Sequence, residues 1–143
     1  MRRRAFLAAV GSATAAGVAG CVATGGGLSE AEYDVGMSSN AFLPERYETT
    51  VGSEVVWGNT GSRAHTVTAY GDAIPDDADY FASGEFEEES AARTAYPRQK
   101  GIEGGKLFGG ETYAHTFEVA GTYSYFCIPH EPQGMVGRIV VTE

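Results

Sequence analysis

Basic side chains are the scarcest charged groups in this chain of 143 residues. Lysine and arginine total 10 against 19 aspartates and glutamates, which gives a formal net charge of −9, and only Lys100 and Lys106 are lysines. A surface this acidic repels the phosphates of nucleic acids and the headgroups of anionic lipids. We therefore expect no nucleic-acid partner. The charge suits a basic protein partner, or solubility at the high salt in which a halophile lives.

The sequence also lacks an apolar run long enough to cross a bilayer. The weakly apolar, Ala- and Gly-rich stretch Ala5–Ala19 is shorter than the roughly 20 residues that a spanning helix needs, so an uncleaved membrane anchor is the less favoured alternative. The R-R-x-F-L pattern at residues 3–7 resembles a twin-arginine export signal. The small residues before Cys21 resemble a lipobox, in which the cysteine becomes the lipidated N-terminus.

Three predictions about the N-terminal part follow. Residues 1–20 form an export signal, and residues 21–32 form a flexible tether that carries lipid on Cys21 and contains three consecutive glycines. The mature protein is then held at the extracytoplasmic face of the cell membrane by this lipid.

Short strand patterns fill the chain from residue 33 onward. Turns rich in glycine and asparagine separate them. The candidate strands are 33–37, 46–51, 54–58, 64–70, 112–119, 122–127 and 136–142. Short strands at this spacing predict an all-β chain folded as an antiparallel β-sandwich, in one domain over residues 33–143.

The strand signal weakens between Gly71 and Gly110, where a short exposed helix over Glu85–Arg93 is expected. So long a connection in a compact domain is usually functional or mobile. Two interpretations of its acidic residues stay open: a solvated surface, or a patch that meets cationic partners. This acidic cluster consists of Asp72, Asp76, Asp77, Asp79, Glu85, Glu87, Glu88 and Glu89.

The residues with the most distinctive chemistry lie in one loop near the C-terminus. Cys127 ends a strand, His130 follows three residues later, and Met135 follows five residues after that. Two prolines and a glycine in residues 128–134 make a stiff loop that can hold both ligands around the sulfur. Thiolate and thioether are soft ligands and imidazole is borderline, so this trio suits copper, and His65 can supply a second imidazole. Two histidines, a cysteine and a weak axial methionine are the ligand set of a blue-copper site.

The remaining histidine and one further methionine have structural interpretations. His115 lies in an ordinary alternating strand, away from any loop, and Met37 lies in the opening strand, where a core position is expected. The two cysteines could in principle form a disulfide in an exported protein. Because Cys21 lies outside the predicted fold and Cys127 lies in the ligand motif, we predict that they do not.

The loop Y-S-Y-F-C-I-P-H, followed by G-M-V-G, resembles the copper loop of plastocyanins and of their archaeal relatives, the halocyanins. The resemblance extends upstream over residues 33–142, through F-x-P at 42–44, G-x-x-V-x-W-x-N at 52–59, His65, and G-T-Y at 121–123. It implies a cupredoxin-like Greek-key β-sandwich of about seven to eight strands that binds one type 1 copper ion. The implied ligands are His65, Cys127, His130 and Met135.

The resemblance also implies a function. A monomeric, membrane-tethered carrier would pass one electron at a time between redox protein partners, through a port at His130 and an apolar docking rim of Pro129, Leu43 and Phe42. It would not be an enzyme, because an oxidase or nitrite reductase needs further histidine-rich copper sites and only His115 is left over. The alternative is a copper storage or delivery lipoprotein, although exposed Met- or His-rich runs are absent.

Two positions depart from the plastocyanin pattern. Thr66 follows the first ligand where asparagine is usual, so the hydrogen bond that braces the copper loop could differ. Phe126 precedes the cysteine where tyrosine is usual, which puts a second electron route through a tyrosine hydroxyl in doubt. Phe126 is still expected to face outward.

Overall fold

The computed structural model describes residues 28–143. Within this range the chain forms one α-helix, α1 (Glu89–Arg98), and short 3-10 turns at Glu30–Glu32, Gly101–Gly104 and Ile128–Gln133. The eight strands of the same range are β1 (Val35–Met37), β2 (Phe42–Leu43), β3 (Arg46–Thr50), β4 (Ser53–Asn59), β5 (Thr68–Ala69), β6 (Thr112–Phe117), β7 (Gly121–Phe126) and β8 (Val136–Thr142).

The strands are arranged in two four-stranded sheets, in the orders β2-β1-β4-β6 and β3-β8-β7-β5. Most neighbouring strands are antiparallel, but β1 with β4 and β3 with β8 are parallel. Between the members of each parallel pair the chain crosses to the other sheet, which is the kind of connection that parallel pairing requires. The predicted β-sandwich is confirmed, with mixed rather than purely antiparallel pairing.

An aromatic cluster around Trp57 joins the two sheets. Trp57 is fully buried, and its ring centroid lies 5.6 Å from that of Tyr113 in the same sheet and 5.5 Å from that of Tyr125 in the other. Phe81, from the long connection before α1, adds a third wall at 5.9 Å. Aromatic pairs at these separations stabilise the core beyond the area that they bury. Part of the long connection is therefore core rather than mobile loop.

The predicted strand over residues 64–70 forms only in part. β5 is limited to Thr68–Ala69, which pair with β7. Upstream, the His65 N–H donates to the Leu107 carbonyl (3.0 Å) and the Leu107 N–H donates to the His65 carbonyl (2.8 Å). This segment therefore changes partner between residues 65 and 68, a tertiary effect that local alternation does not show. The short strand β2 was not predicted.

The predicted helix over Glu85–Arg93 is displaced along the chain. Glu85 has a positive φ of 59° in a turn, so no helix begins there, and α1 runs instead from Glu89 to Arg98. The helix is not simply exposed, because Ala92 is buried. Of the acidic residues before it, Asp76, Glu87 and Glu88 line a groove of about 620 Å³ together with Glu89 and Arg93.

The N-terminal predictions lie largely outside the described residues, which begin at residue 28. The last part of the predicted tether is nevertheless structured, since Glu30–Glu32 form a 3-10 turn. The Leu28 side chain packs against Gly58, where a Cβ would come within 2.7 Å of Leu28 Cδ1. Structure therefore begins a few residues before residue 33, and the domain boundary at that residue stays a prediction. Over the described part of the chain, no helix is long and apolar enough to span a membrane.

Candidate metal centre

Cys127 and His130 are placed by the end of β7 and the turn that follows it. Cys127 is the extended residue before the 3-10 turn Ile128–Gln133, in which the His130 N–H donates to the Cys127 carbonyl (3.2 Å). Gly134 ends the turn with a φ of 88°, a left-handed conformation that favours glycine. The prolines predicted to stiffen this loop therefore lie in a compact turn, which directs His130 back toward the sulfur.

His65 is placed by its backbone pairing with Leu107 and by a buried asparagine beneath the same segment. The Asn59 amide donates to the carbonyls of Arg63 (2.7 Å) and Leu107 (2.8 Å), and its oxygen accepts the Gly61 N–H (2.9 Å). Asn59 therefore ties together both chain segments that hold His65. A buried amide with three hydrogen bonds is a fixed support.

The three predicted ligands from these segments meet in space. Their donor atoms all lie within 4.8 Å of one another. The Nδ1 atoms of His65 and His130 each lie 3.5 Å from Cys127 Sγ, and the two ring centroids are 4.8 Å apart. No other group of three or more His, Cys, Asp or Glu residues in the described chain could hold a metal ion.

Burial keeps these donors neutral before a metal binds. Desolvation lowers the pKa of His65 to about 4, helped by the nearby His130, and desolvation also lowers the pKa of His130. Burial raises the pKa of Cys127 to about 11, although the Thr66 and His130 N–H groups oppose it. A backbone contact with Ser38 partly opposes the lowering of the His65 pKa. This contact is not a hydrogen bond of normal geometry, and His65 Nε2 is buried without a partner.

These donors fit copper. Neutral imidazoles offer lone pairs, a cation displaces the thiol proton, and one sulfur with two nitrogen donors suits copper better than the hard cations that prefer oxygen. Cys127 is a free, buried cysteine in the described chain, as a metal ligand must be. The structure thus brings together three of the four predicted ligands. In the sequence, His65 lies 62 residues before Cys127, and His130 lies 3 residues after it.

The fourth predicted ligand, Met135, lies next to this group in the fold. Its carbonyl accepts the Cys127 N–H (3.1 Å), its N–H donates to the His130 carbonyl (3.2 Å), and its side chain is fully buried. Met37 lies in the core as predicted. His115 lies apart from the three donors, with its ring stacked 5.0 Å from that of Phe81.

Thr66 braces the copper loop at the position where asparagine is usual in plastocyanins. Its hydroxyl accepts the Ile128 N–H (2.9 Å), and its own N–H points at Cys127 Sγ (3.4 Å). An N–H directed at the sulfur favours the thiolate. A shorter side chain therefore still links the first ligand segment to the copper loop.

Thr66→Val should destabilise the protein without changing side-chain volume. The part-buried Ile128 N–H would lose its acceptor and the buried Thr68 hydroxyl would lose its partner, and leaving such groups unpaired typically costs about 1–3 kcal/mol. Urea unfolding of the copper-free protein measures this, with Thr142→Val on the exposed end of β8 as the control, expected to change stability by less than about 0.5 kcal/mol. Equal effects of the two substitutions would contradict the brace.

The predicted docking rim is only partly at the surface. Leu43 is 57% exposed and Pro129 is half-buried, but Phe42 is 1% exposed and packs edge-on against Tyr125 at 4.6 Å. The prediction that Phe42 belongs to the rim was wrong. Side chains alternate along β2, so Phe42 faces the core and Leu43 faces solvent. Phe108, 47% exposed beside Leu107, was missed because nothing in its local sequence marks it.

Phe126 lies outside the core cluster, on the outer face of its sheet as expected, yet other side chains cover it completely. Tyr70 stacks on it at 4.4 Å, and the Arg93 guanidinium covers it at 4.3 Å. The same arginine pairs with Glu131, next to His130. Hydrogen bonds from Arg93 hold the pKa of Glu131 below its usual range. Sequence reasoning missed this contact because Arg93 and Glu131 are 38 residues apart.

Comparison with known proteins agrees with this geometry. Residues 30–142 match the family described as copper binding proteins, plastocyanin/azurin family. Plastocyanin of Capsella bursa-pastoris is 33% identical over 108 residues, covering 74% of this chain and 92% of that protein. Chloroplastic plastocyanin of Fritillaria agrestis is 32% identical over 141 residues, covering 97% of this chain and 75% of that protein.

Solved structures share the fold at lower sequence identity. Oxidised plastocyanin from Dryopteris crassirhizoma is 18% identical with a TM-score of 0.51, covering 76% of this chain and 98% of that one. An oxidised amicyanin mutant is 20% identical with a TM-score of 0.54, covering 80% and 85%. The chain therefore belongs to the plastocyanin/azurin family of copper-binding proteins, and it is a blue copper cupredoxin with a type 1 copper site built on His65, Cys127 and His130.

Proposed function

We propose that the protein is a one-electron carrier that shuttles between redox protein partners at the outer face of the cell membrane. The observation that carries this proposal is the asymmetry of the two histidine ligands. His65 is fully buried, whereas His130 is 8% exposed on the turn after Cys127. A site with one ligand edge at the surface and the rest dry can exchange electrons and still exclude water.

Bound copper would supply the one-electron couple between Cu(II) and Cu(I). The chain supplies the rest: a soft sulfur, two neutral imidazoles, and a β-sandwich that holds them in one arrangement. Asn59 fixes the His65 segment and Thr66 links it to the copper loop, so the donor positions change little between oxidation states. When copper is bound, the edge of His130, which is 8% exposed, would be the route by which the electron enters or leaves.

Met135 would be the weak axial ligand. Met135→Gln offers a harder oxygen, which favours Cu(II) and should lower the potential. A tenfold change in the ratio of the two affinities corresponds to about 59 mV for one electron, and we expect a fall of at least this size. Met135→Leu offers no donor atom and should raise the potential. Voltammetry decides, and a raised or unchanged potential in Met135→Gln would count against this ligand.

The anchor would be lipid on Cys21, after removal of residues 1–20. Two features of the sequence support it: the R-R-x-F-L pattern and the small residues before Cys21. The mature protein should then partition with membranes, and Cys21→Ser should be released or left unprocessed. Mass spectrometry of the membrane fraction measures this directly. An unmodified Cys21 in mature protein would refute the anchor.

A carrier and a storage or delivery protein differ in what happens to the metal. A carrier keeps its copper through many redox cycles, whereas a delivery protein gives it up to a partner or chelator. All three donors that meet in the structure are buried, which favours retention. Repeated cycling between ascorbate and ferricyanide in the presence of a Cu(I) chelator should leave the copper bound. Steady loss of copper would favour the delivery function.

A further inference from the structure

Helix α1 reaches the copper loop through one arginine. Arg93 Nη1 and Nη2 donate to the two carboxylate oxygens of Glu131 at 2.9 and 3.2 Å, a forked arrangement. The Tyr70 hydroxyl donates to the same carboxylate at 2.6 Å. Glu131 follows His130 directly, so the fork is attached to the backbone of a copper ligand.

Arg93 is itself held from two further sides. Its Nε donates to Glu89 at 2.8 Å, and Glu89 in turn accepts the Gly71 N–H at 2.9 Å. Its guanidinium lies 4.3 Å over the ring of Phe126, the residue before Cys127. An arginine that is stacked and forked at once is fixed in a way that lysine cannot reproduce.

The contacts of Arg93 therefore bracket the ligand segment. Phe126 comes just before Cys127 and Glu131 comes just after His130, so one side chain contacts both residues that flank the four-residue stretch from Cys127 to His130. The turn has 3-10 geometry, which gives poorer hydrogen bonds than an α-helix, so a side-chain support adds to what its backbone provides. Its backbone bonds from His130 and Met135 are 3.2 Å long, and the bond from the Gly134 N–H to the Glu131 carbonyl is 2.8 Å long.

We propose that Arg93 is a positioning residue for the copper site, which fixes the His130 turn against β7 through Glu131 and Phe126. This inference rests on the proposed role of His130 as ligand and port, but the fork forms without a metal. In this proposal, α1 is the support against which the ligand loop is held. The role of Arg93 is geometric and does not reduce to its charge.

The test begins with the copper-free protein, so that it does not depend on redox function. Amide hydrogen exchange is measured at Gly134 and Met135, whose N–H groups donate to the carbonyls of Glu131 (2.8 Å) and His130 (3.2 Å). Amides of β7 and β8 serve as the reference for global stability. The variants are Arg93→Ala, Arg93→Lys, Glu131→Gln, and the control Arg98→Ala. Arg98 lies in the last turn of the same helix, and its guanidinium makes no hydrogen bond or ion pair within residues 28–143.

Arg93→Ala should speed exchange at the two loop amides by roughly tenfold relative to the reference, as expected for loss of a charge-assisted, bidentate pair. Glu131→Gln should have a similar effect, and the double variant should add little to either single one. Arg93→Lys should stay closer to Arg93→Ala than to the natural protein, because the charge remains and the fork is lost. Arg98→Ala should match the natural protein.

The copper-loaded proteins provide the second measurement. The position and intensity of the blue absorption band should change in Arg93→Ala and not in Arg98→Ala, because only the first loosens the His130 turn. The proposal would be overturned if the loop amides of Arg93→Ala exchanged as slowly as those of the natural protein. It would also be overturned if this held for Arg93→Lys alone, because the charge would then be sufficient. If the copper protein proved unable to cycle electrons while the exchange results held, the proposed function would fail and the positioning role would stand.

Discussion

Replacing Cys127 with serine is expected to abolish the blue colour of the oxidised, copper-loaded protein. The colour arises from charge transfer between a thiolate and copper, and Cys127 is the thiol that lies 3.5 Å from both histidine Nδ1 atoms. Burial raises the pKa of this thiol to about 11, so the thiolate forms only when a cation takes the place of its proton. A hydroxyl is far harder to deprotonate and is a harder donor.

His115→Ala is the matched control for the ligand assignment. His115 stacks on Phe81 and lies outside the group of donors, so the spectrum should be unchanged, although the protein should lose some stability. Absorption spectroscopy of the two variants and the natural protein measures both outcomes. A blue Cys127→Ser variant, or a colourless His115→Ala variant, would contradict the ligand set.

Leu43→Glu and Pro129→Glu are expected to slow electron transfer to the redox partner by roughly tenfold or more at every salt concentration. Leu43 is the most exposed large apolar side chain in the described residues, and Pro129 precedes His130 directly. The minority of interface residues that contribute more than about 1 kcal/mol cluster at the centre of the contact, where we place these two, and about 1.4 kcal/mol corresponds to a factor of ten. A charge placed there opposes desolvation of the contact, which salt does not relieve.

The acidic cluster provides the contrasting experiment. Glu87→Gln/Glu88→Gln removes two exposed carboxylates that line the groove beside α1, and leaves Glu89 in place because it bonds Gly71 and Arg93. Exposed charges mainly steer encounter, and at 1 M salt the Debye length is about 3 Å. Stopped-flow rates should therefore fall only at low salt. If this variant stays slow in molar salt while the Leu43 variant is normal, the port is misplaced.

Patterns that are local in sequence predicted most of this molecule. The β-sandwich followed from alternation and turn residues, and β8 was predicted with the bounds that the structure gives it, Val136–Thr142. The group His65, Cys127 and His130 followed from ligand chemistry and from the family's loop spacing. These features depend on neighbours within a few residues, or on a motif that only one arrangement satisfies.

The features that were missed depend on distant contacts. His65 leaves the strand pattern because it pairs with Leu107, and α1 begins late because the chain turns at Glu85. Phe126 is buried by Arg93 and Tyr70, which no alternation along β7 can reveal. Phe42 is the exception, because local alternation alone places it in the core and Leu43 in solvent once β2 is recognised as a strand.

A copper titration of the purified protein, followed by absorption and then by voltammetry, is the sharpest test of the blue-copper site. We expect the oxidised protein to develop an intense blue band that saturates at one copper per chain. The band should bleach reversibly on one-electron reduction and be absent in Cys127→Ser. Binding of copper without an intense blue band, or saturation at more than one copper with no reversible couple, would contradict it.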